Sequence, residues 1–507
     1  MPDHRISVSL NHPIATIHPN IYGHFAEHLG ACIYDGIWVG EESAIPNTNG
    51  IRNDVVAAMK KIAPPVIRWP GGCFADDYHW RDGIGPRDNR PERINIWWGE
   101  AIETNHFGTH EFIEFCRMVG AAPYLVGNVG SGTPGELRDW VEYCNFPGGS
   151  TLAGERSANG SPDPFQVEYW GVGNENWGCG GNMDSQDYAA AYRQFATYMR
   201  EFGGTTPYLI ACGPANNDID WTLRFFEKFD RPRRPRIDAF AAHYYARKRD
   251  PQPNTSYSTY TGTATDYDEA QWYCQIHAGL EMEPLVVQQR AAMDSFDPDR
   301  KIGLIVDEWG TWHPPTEGHH PRHLWQQNTM RDALVAATTL DIFNRHADKV
   351  VMSNIAQTIN VLQAMILTDG DRMLTTPTYH VYDMYQVHQN GTSLQTQVET
   401  DDISFEINRE QNTVPALSGA ASLKGNVLSL SVVNSHADSP IETVLNLLGG
   451  SAKSVSLTTL ASNDIHAHNT FDQPEAVSPQ GRTLSASGSD LTVTFEPASV
   501  NLLRIEL

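Results

Sequence analysis

Val167 to Glu175 reads VEYWGVGNE: a short, largely apolar run that stops abruptly at an amide and a carboxylate. A run of this length bounded by glycine reads as a buried strand. Working outward, seven further runs have the same character: TIHPNIYGHF (16–25), PVIRW (65–69), PYLVGNVG (123–130), YLIACGP (208–214), AFAAHYY (239–245), IGLIVDEW (302–309) and VVMSNIAQ (350–357). Helical runs separate several of them: DVVAAMKKIA (54–63), THEFIEFCRMVG (109–120), GELRDWVEYCN (135–145), SQDYAAAYRQFATYMREF (185–202), WTLRFFEKF (221–229) and NTMRDALVAATTLDIFNRH (328–346). Eight strands alternating with helices predict a (β/α)8 TIM barrel over residues 15–384. The alternative, an open doubly wound sheet, lacks its sign, because no G-x-G-x-x-G follows an early strand.

Beyond about Tyr385 the composition changes. All thirteen tryptophans lie at or before Trp325, and three phenylalanines are the only aromatics left. Alternating runs such as DISFEINR, NVLSLSVVN, IETVLNLL, SVSLTTLA, DLTVTFEP and VNLLRIEL predict a C-terminal antiparallel β-sandwich domain over 385–507. RISVSL (5–10) alternates in the same way, so residues 1–14 are expected to add a strand to that sandwich from the other end of the chain.

The 507 residues carry 36 Lys and Arg against 61 Asp and Glu, a net charge of −25, which excludes a nucleic-acid partner on electrostatic grounds. No apolar stretch approaches membrane-spanning length, and the N-terminus has no apolar signal core, so a cytoplasmic chain with no membrane partner is expected. Seven widely spaced cysteines without a C-x-x-C predict a reduced chain rather than a disulfide framework or a zinc knuckle. The sequons at Asn254 and Asn390 carry no meaning in such a compartment.

In a barrel of this class the chemistry gathers where strands end. Here the ends carry His24 and Glu27, then the RWPGGCFADDYHW segment, Asn128, Asn174 with Glu175, His243 with Tyr244 and Tyr245, Asp307 with Glu308, and Asn354 with Gln357. Glu175 and Glu308 each close a buried run. One such Glu alone can be a structural ion-pair partner, but two facing each other across a pocket are what glycoside hydrolysis requires. Trp177, Trp309, Trp312, Tyr244 and Tyr245 lie nearby, suited to the C–H faces of a sugar and equally to an ordinary core. His24-Phe25-Ala26-Glu27-His28 fits the zinc-peptidase pattern H-x-x-E-H. That pattern needs a helix to bring both imidazoles together, whereas this stretch falls at a strand end between Gly23 and Gly30. Glu27 is therefore read as a pocket carboxylate, with no metal and no cofactor implied.

GHFAEHLG, RWPGGCFADDYHWRDGIGP, WGVGNENWGCGG, DEWGTWH and SNIAQTINVLQAMILTDG, in this order, strongly resemble glycoside hydrolase family 51, the α-L-arabinofuranosidases. The resemblance runs from about Ile6 to Asp369. It implies a barrel with a β-sandwich and a retaining, exo-acting hydrolysis of arabinofuranosyl groups from arabinose-containing oligosaccharides. It assigns Glu175 as acid/base and Glu308 as nucleophile, and it places Asn174, Glu27, Tyr245, Gln357, His243 and Trp98 around the sugar. Cys73 stands where many relatives have Asn, a poorer hydrogen-bonding group at a substrate-binding position. The resemblance also implies a homo-oligomer, as in hexameric relatives. The alternatives are a same-fold β-xylosidase or endo-β-glucanase, or a non-catalytic carbohydrate-binding protein.

Overall fold

A computed structural model describes residues 4–248, 260–485 and 487–507; the sequon at Asn254 lies outside the described residues. The chain begins with β1 (His4–Thr16). Eight strands then close a parallel barrel in chain order: β2 (Gly23–Phe25), β3 (Val66–Trp69), β4 (Ala122–Gly127), β5 (Tyr169–Val172), β6 (Tyr208–Ala215), β7 (Ala239–Ala246), β8 (Gly303–Thr311) and β9 (Val350–Ala356). All eight coincide with predicted runs. The first is much shorter than predicted, because Pro19 opens a 3-10 turn (Pro19–Tyr22) in which the His18 ring accepts the Asn20 N–H.

Strand alternation divides the barrel residues into two sets. Val66, Tyr124, Ile210, Ala241, Ile305 and Met352 meet in one core inside the barrel. Ile67, Leu125, Leu209, Phe240 and Leu304 belong to the larger core shared with the helices. Arg68, two residues after Val66, therefore shares the inward face.

Around the barrel lie α1 (Asn53–Ile62), α2 (Thr109–Val119), α3 (Pro134–Asn145), α4 (Thr151–Ala158), α5 (Ser185–Tyr198), α6 (Ile219–Phe229), α7 (Glu269–Leu280), α8 (Met282–Asp294), α9 (Met330–Arg345) and α10 (Pro377–Tyr385). Their starts follow local chemistry. Asp184 accepts the N–H groups of Gln186 and Asp187, and Thr329 forms a capping box with Asp332. Four helices, α4, α7, α8 and α10, were not legible in the sequence. For α7 the reason is plain: Trp272, Tyr273, Cys274, Gln275 and Ile276 are buried in succession, which leaves little polar face to reveal a helical period.

The C-terminal strands are β10 (Thr392–Glu399), β11 (Leu417–Lys424), β12 (Val427–Asn434), β13 (Ile441–Leu448), β14 (Ser454–Ala461), β15 (Gln480–Leu484), β16 (Asp490–Phe495) and β17 (Ser499–Glu506). With β1 they form one sheet in the order β15-β14-β17-β12-β11-β10-β1-β13-β16. Every pairing in it is antiparallel except β1 with β13. Leu457 near one end and Val493 at the other share a core with Ile6 and Leu430, so the sheet folds over on itself. The predicted strand DISFEINR departs from this sheet. Among the described residues Asp402–Ile407 pairs only with Glu410–Pro415, and the ribbon lies on α7, with the Phe405 and Tyr273 rings 6.0 Å apart.

Helix α9 joins the two parts. It is buried along almost its whole length and packs on β10, β11, β12 and β17. Arg345 donates to the Gly419 carbonyl at 3.1 Å, and the Ser431 hydroxyl donates to the fully buried Asp341. Burial pushes the Asp341 carboxyl up to about 7, against the opposing pull of Ser431, Arg345 and Tyr385. The native state then binds a proton that the unfolded chain releases near pH 4. The stability this supplies is complete below about pH 4 and is lost as pH rises through about 7. Asp341→Asn is expected to remove this loss, on the order of a few kcal/mol. Thermal melts at pH 5 and pH 8 should therefore draw closer together in the variant; an unchanged gap contradicts the assignment.

Candidate active site

The site is built on the C-terminal ends of the barrel strands. At the end of β5 the backbone turns sharply. Gly173 has φ 86° and Glu175 has φ 42°, the left-handed region that costs a non-glycine residue on the order of 1 kcal/mol. The turn is over-determined. Asp76 accepts the N–H groups of Val129 (2.6 Å), Gly130 (2.7 Å) and Asn174 (2.7 Å), while the N–H groups of Gly178 and Gly180 donate to the Glu175 carbonyl. The Asp76 carboxyl is itself pushed up to about 7 by burial, against those three donors and Arg68.

Arg68 is fully buried beneath the site. Its Nη1 lies 2.8 Å from Glu308 Oε1, its Nη2 donates to Asn174 Oδ1 at 2.6 Å, and its Nε lies 3.2 Å from Asp307 Oδ2. Asp307 is fixed in turn by Tyr124 Oη and Asn354 Nδ2, each at 2.8 Å. Burial opposes the Arg68 charge, but Asp307 and Glu308 outweigh it and keep it protonated. Burial likewise pushes the Glu308 carboxyl up. His243, Arg68 and the Tyr245 hydroxyl (2.9 Å to Oε2) outweigh that and hold it below the usual carboxylate range.

His243 bridges the two carboxylates, with Nδ1 3.0 Å from Glu175 Oε1 and 3.6 Å from Glu308 Oε2. Burial works against the imidazolium, and the two carboxylates reverse the balance, raising the His243 pKa above its ordinary value. One ring nitrogen of His243 and one oxygen from each of Glu175 and Glu308 all lie within 4.8 Å of one another.

A pocket opens above this pair, lined by Glu27, Gly72, Cys73, Trp98, Glu175, Tyr245, Glu308, Trp312, Leu324 and Gln357 among others. Glu27 is held by the Phe74 N–H (3.1 Å), Trp98 Nε1 (2.9 Å) and Gln357 Nε2 (3.0 Å). Its carboxyl is raised to about 7 by burial and by the charge of Glu308, against the Phe74 and Trp98 donors and Arg68. A Cβ on Gly72 would sit 2.8 Å from Glu27 Oε1 and 2.9 Å from Oε2, which explains the paired glycines of the PGG segment. Two larger surface cavities, one around Arg87 and Glu111 and one around Arg200 and Arg236, share no lining residue with this pocket.

The nine residues singled out from the sequence thus lie together: seven line the pocket, and Asn174 and His243 touch its carboxylates or their support. Of the nearby aromatics, Tyr245 and Trp312 face the pocket. Trp309 is core, donating to Ser353, and Tyr244 donates to the carbonyl of Ala278 within α7. Arg68 and Asp76 were missed; the available signal was a charged residue inside the four-residue buried run VIRW, and an acid closing GGCFAD. The H-x-x-E-H histidines diverge. His28 lies between Glu103 (2.7 Å) and Trp69 Nε1 (3.1 Å). His24 packs on Tyr382, and among the described residues neither ring nitrogen has a hydrogen-bond partner; burial lowers its pKa to about 3.

The cysteines require a correction. Cys73 and Cys179 form a disulfide, with Cα atoms 5.4 Å apart across 106 residues of sequence, so the chain is not fully reduced. The barrel brings together the loops after β3 and β5, a proximity that no local spacing encodes. The remaining five cysteines are free and buried.

A closed (β/α)8 barrel with two carboxylates facing each other under a small polar pocket is the arrangement of a barrel glycoside hydrolase. Residues 58–271 match the sequence model of the α-L-arabinofuranosidase 1 domain, and residues 307–499 match that of the α-L-arabinofuranosidase C-terminal domain. An intracellular exo-α-L-arabinofuranosidase of Bacteroides ovatus is 45% identical over 90% of this chain and 87% of its own length. The family 51 arabinofuranosidase of Xanthomonas axonopodis pv. citri superposes with a TM-score of 0.92 at 42% identity, covering 99% of this chain and 100% of the other. The arabinose complex of the Thermotoga maritima α-L-arabinofuranosidase gives 0.85 at 32% identity, covering 99% and 100%. The chain belongs to glycoside hydrolase family 51, the α-L-arabinofuranosidases.

Gly72→Ala tests the packing argument at Glu27. It is expected to raise KM for 4-nitrophenyl α-L-arabinofuranoside about tenfold while kcat stays within about threefold. Unchanged kinetics contradict the claim that Gly72 sets the Glu27 position.

Proposed function

We propose that this protein is a retaining, exo-acting α-L-arabinofuranosidase that removes terminal arabinofuranosyl groups from arabinose-containing oligosaccharides by double displacement. The spacing of Glu175 and Glu308 carries the proposal. Oxygens within 4.8 Å suit a direct nucleophile, whereas an inverting pair stands roughly 6.5–9.5 Å apart to admit water. In this reading Glu308, kept ionised by Arg68, His243 and Tyr245, attacks the anomeric carbon. Glu175 gives its proton to the departing oxygen. Water then attacks the arabinosyl-enzyme with Glu175 as base, and the configuration is retained. Asn174, which accepts from Arg68, binds the hydroxyl beside the anomeric carbon. Glu27 and Gln357 hold the far side of the ring, with Tyr245, Trp98 and Cys73 as walls. Trp98, Trp312 and Leu324 around the pocket support the exo mode.

Residues 15–384 are assigned to catalysis, and residues 1–14 and 385–507 to the sandwich. The name of the Bacteroides relative supports an intracellular site of action; no helix among the described residues is long and apolar enough to cross a membrane. Self-association into a homo-oligomer completes the proposal.

The test is hydrolysis of 4-nitrophenyl α-L-arabinofuranoside by the wild type and two variants, with and without a metal chelator. Glu308→Ala is expected to lose at least about 10³-fold in kcat/KM. Glu175→Ala should accumulate the arabinosyl-enzyme, and azide should restore its turnover as an arabinofuranosyl azide. The wild type should be indifferent to chelator. Activity abolished by chelator and restored by zinc, or a Glu308→Ala enzyme that remains active, would overturn the assignment.

A further inference from the structure

The two oxygens of Glu175 have different neighbours. Oε1 meets His243 at 3.0 Å. Oε2 faces the disulfide, with Cys179 Sγ at 3.7 Å and Cys73 Sγ at 4.0 Å; the bridged sulfurs carry no hydrogen, and among the described residues no group donates to Oε2. Cys179 lies in the same tight turn as Glu175, four residues on, and Asn174 Nδ2 reaches its sulfur at 3.9 Å. Cys73 lines the pocket, and both cysteines are half-buried, so a small thiol reagent can reach the bond. The bridge therefore ties the strained turn bearing Glu175 to the wall formed by the loop after β3.

We propose that the Cys73–Cys179 bridge is a positioning element for Glu175 and that its reduction selectively weakens proton delivery to the leaving group. The proposal rests on the reading of Glu175 as the acid/base. Two effects of reduction act in one direction. Non-bonded sulfurs must separate to van der Waals distance, which shifts the wall against Oε2 and releases the turn; misplacing a catalytic group by about 1 Å can cost about 100-fold. Two S–H groups also appear beside Oε2, and donors to a carboxylate favour its ionised form over the acid that the first step needs. The chemistry is ordinary thiol–disulfide exchange with a dithiol reductant. A thiolate of the reductant attacks one protein sulfur, the S–S bond breaks, and the released thiolate takes up a proton. The second thiol of the reductant then resolves the mixed disulfide and leaves as a cyclic disulfide. Two electrons and two protons pass to the protein. Oxidised glutathione reverses the change.

The full-length enzyme is assayed after treatment with dithiothreitol and after treatment with oxidised glutathione, with thiols counted in denaturant. Seven thiols are expected in the first state and five in the second. kcat/KM, which reports the first bond-breaking step, is measured on 4-nitrophenyl and methyl α-L-arabinofuranosides. The first leaving group needs little protonation and the second needs it fully. Reduction is expected to lower kcat/KM about tenfold or more on the methyl glycoside and less than about twofold on the aryl one. Reoxidation should restore it, and Cys179→Ser should behave as the reduced enzyme in both buffers. Equal losses on both substrates, no loss on either, or seven thiols after oxidation would overturn the proposal. Glu175→Ala run alongside keeps the two readings apart. If it lacks the same leaving-group dependence, the acid/base assignment falls and this proposal with it; if it has that dependence and reduction does not, the bridge proposal alone falls.

Discussion

The structure depends on one buried cation. Arg68 sits on the inward face of β3, in the strand layer where a barrel is normally filled with aliphatic side chains. Removing a guanidinium from water is costly, and three partners from other strand ends offset it: Asp307 of β8 as an ion-pair partner, and Glu308 of β8 and Asn174 of β5 as hydrogen-bond acceptors. Because every partner is itself fixed by further hydrogen bonds, the arrangement has few alternatives. It orients Glu308 and keeps it ionised, and it aligns Asn174. Through Asn174 it is coupled to the left-handed turn that presents Glu175. The stability of the barrel floor and the geometry of the chemistry are thus aspects of the same contacts.

The strained turn at Glu175 and the packing at Glu27 follow the same logic. Asp76 gathers three N–H groups from two loops, and its burial is tolerated because all three point at it. Gly72 leaves room where any side chain would press on the Glu27 carboxylate. His243 stands between the two catalytic candidates, whose negative charges raise its pKa against the opposing effect of burial. Each of these residues acts by fixing another, which is how a pocket of polar groups holds its shape without bound substrate.

Much of this was legible in the sequence, and the physical reason differs by feature. Barrel strands are short buried runs that end in polar residues, so VEYWGVGNE and IGLIVDEW disclosed both the fold and the carboxylates. Helices with one polar face, such as α2 and α6, were equally plain. Illegible features were those in which the signal is non-local or uniform. α7 is buried too continuously to show a period. The ribbon at Asp402–Ile407 alternates like a sandwich strand and differs only in what it packs against. Arg68 stood in view within VIRW, but its partners come from strands more than one hundred residues away. The Cys73–Cys179 bridge was missed for the same reason: counting and spacing argue for reduced thiols, and only the barrel brings the two loops together. The H-x-x-E-H string shows the converse, a local pattern emptied of its meaning by the strand on which it lies.

Glu175 and Glu308 stand close enough for direct displacement by one of them. Proton NMR of the first-formed sugar during hydrolysis of a 4-nitrophenyl α-L-arabinofuranoside tests this most directly. A double displacement releases the α anomer of arabinofuranose first, and the β anomer and the pyranose forms follow only through slow mutarotation. Initial release of the β anomer would mean a single displacement by water, with neither Glu175 nor Glu308 acting as the nucleophile.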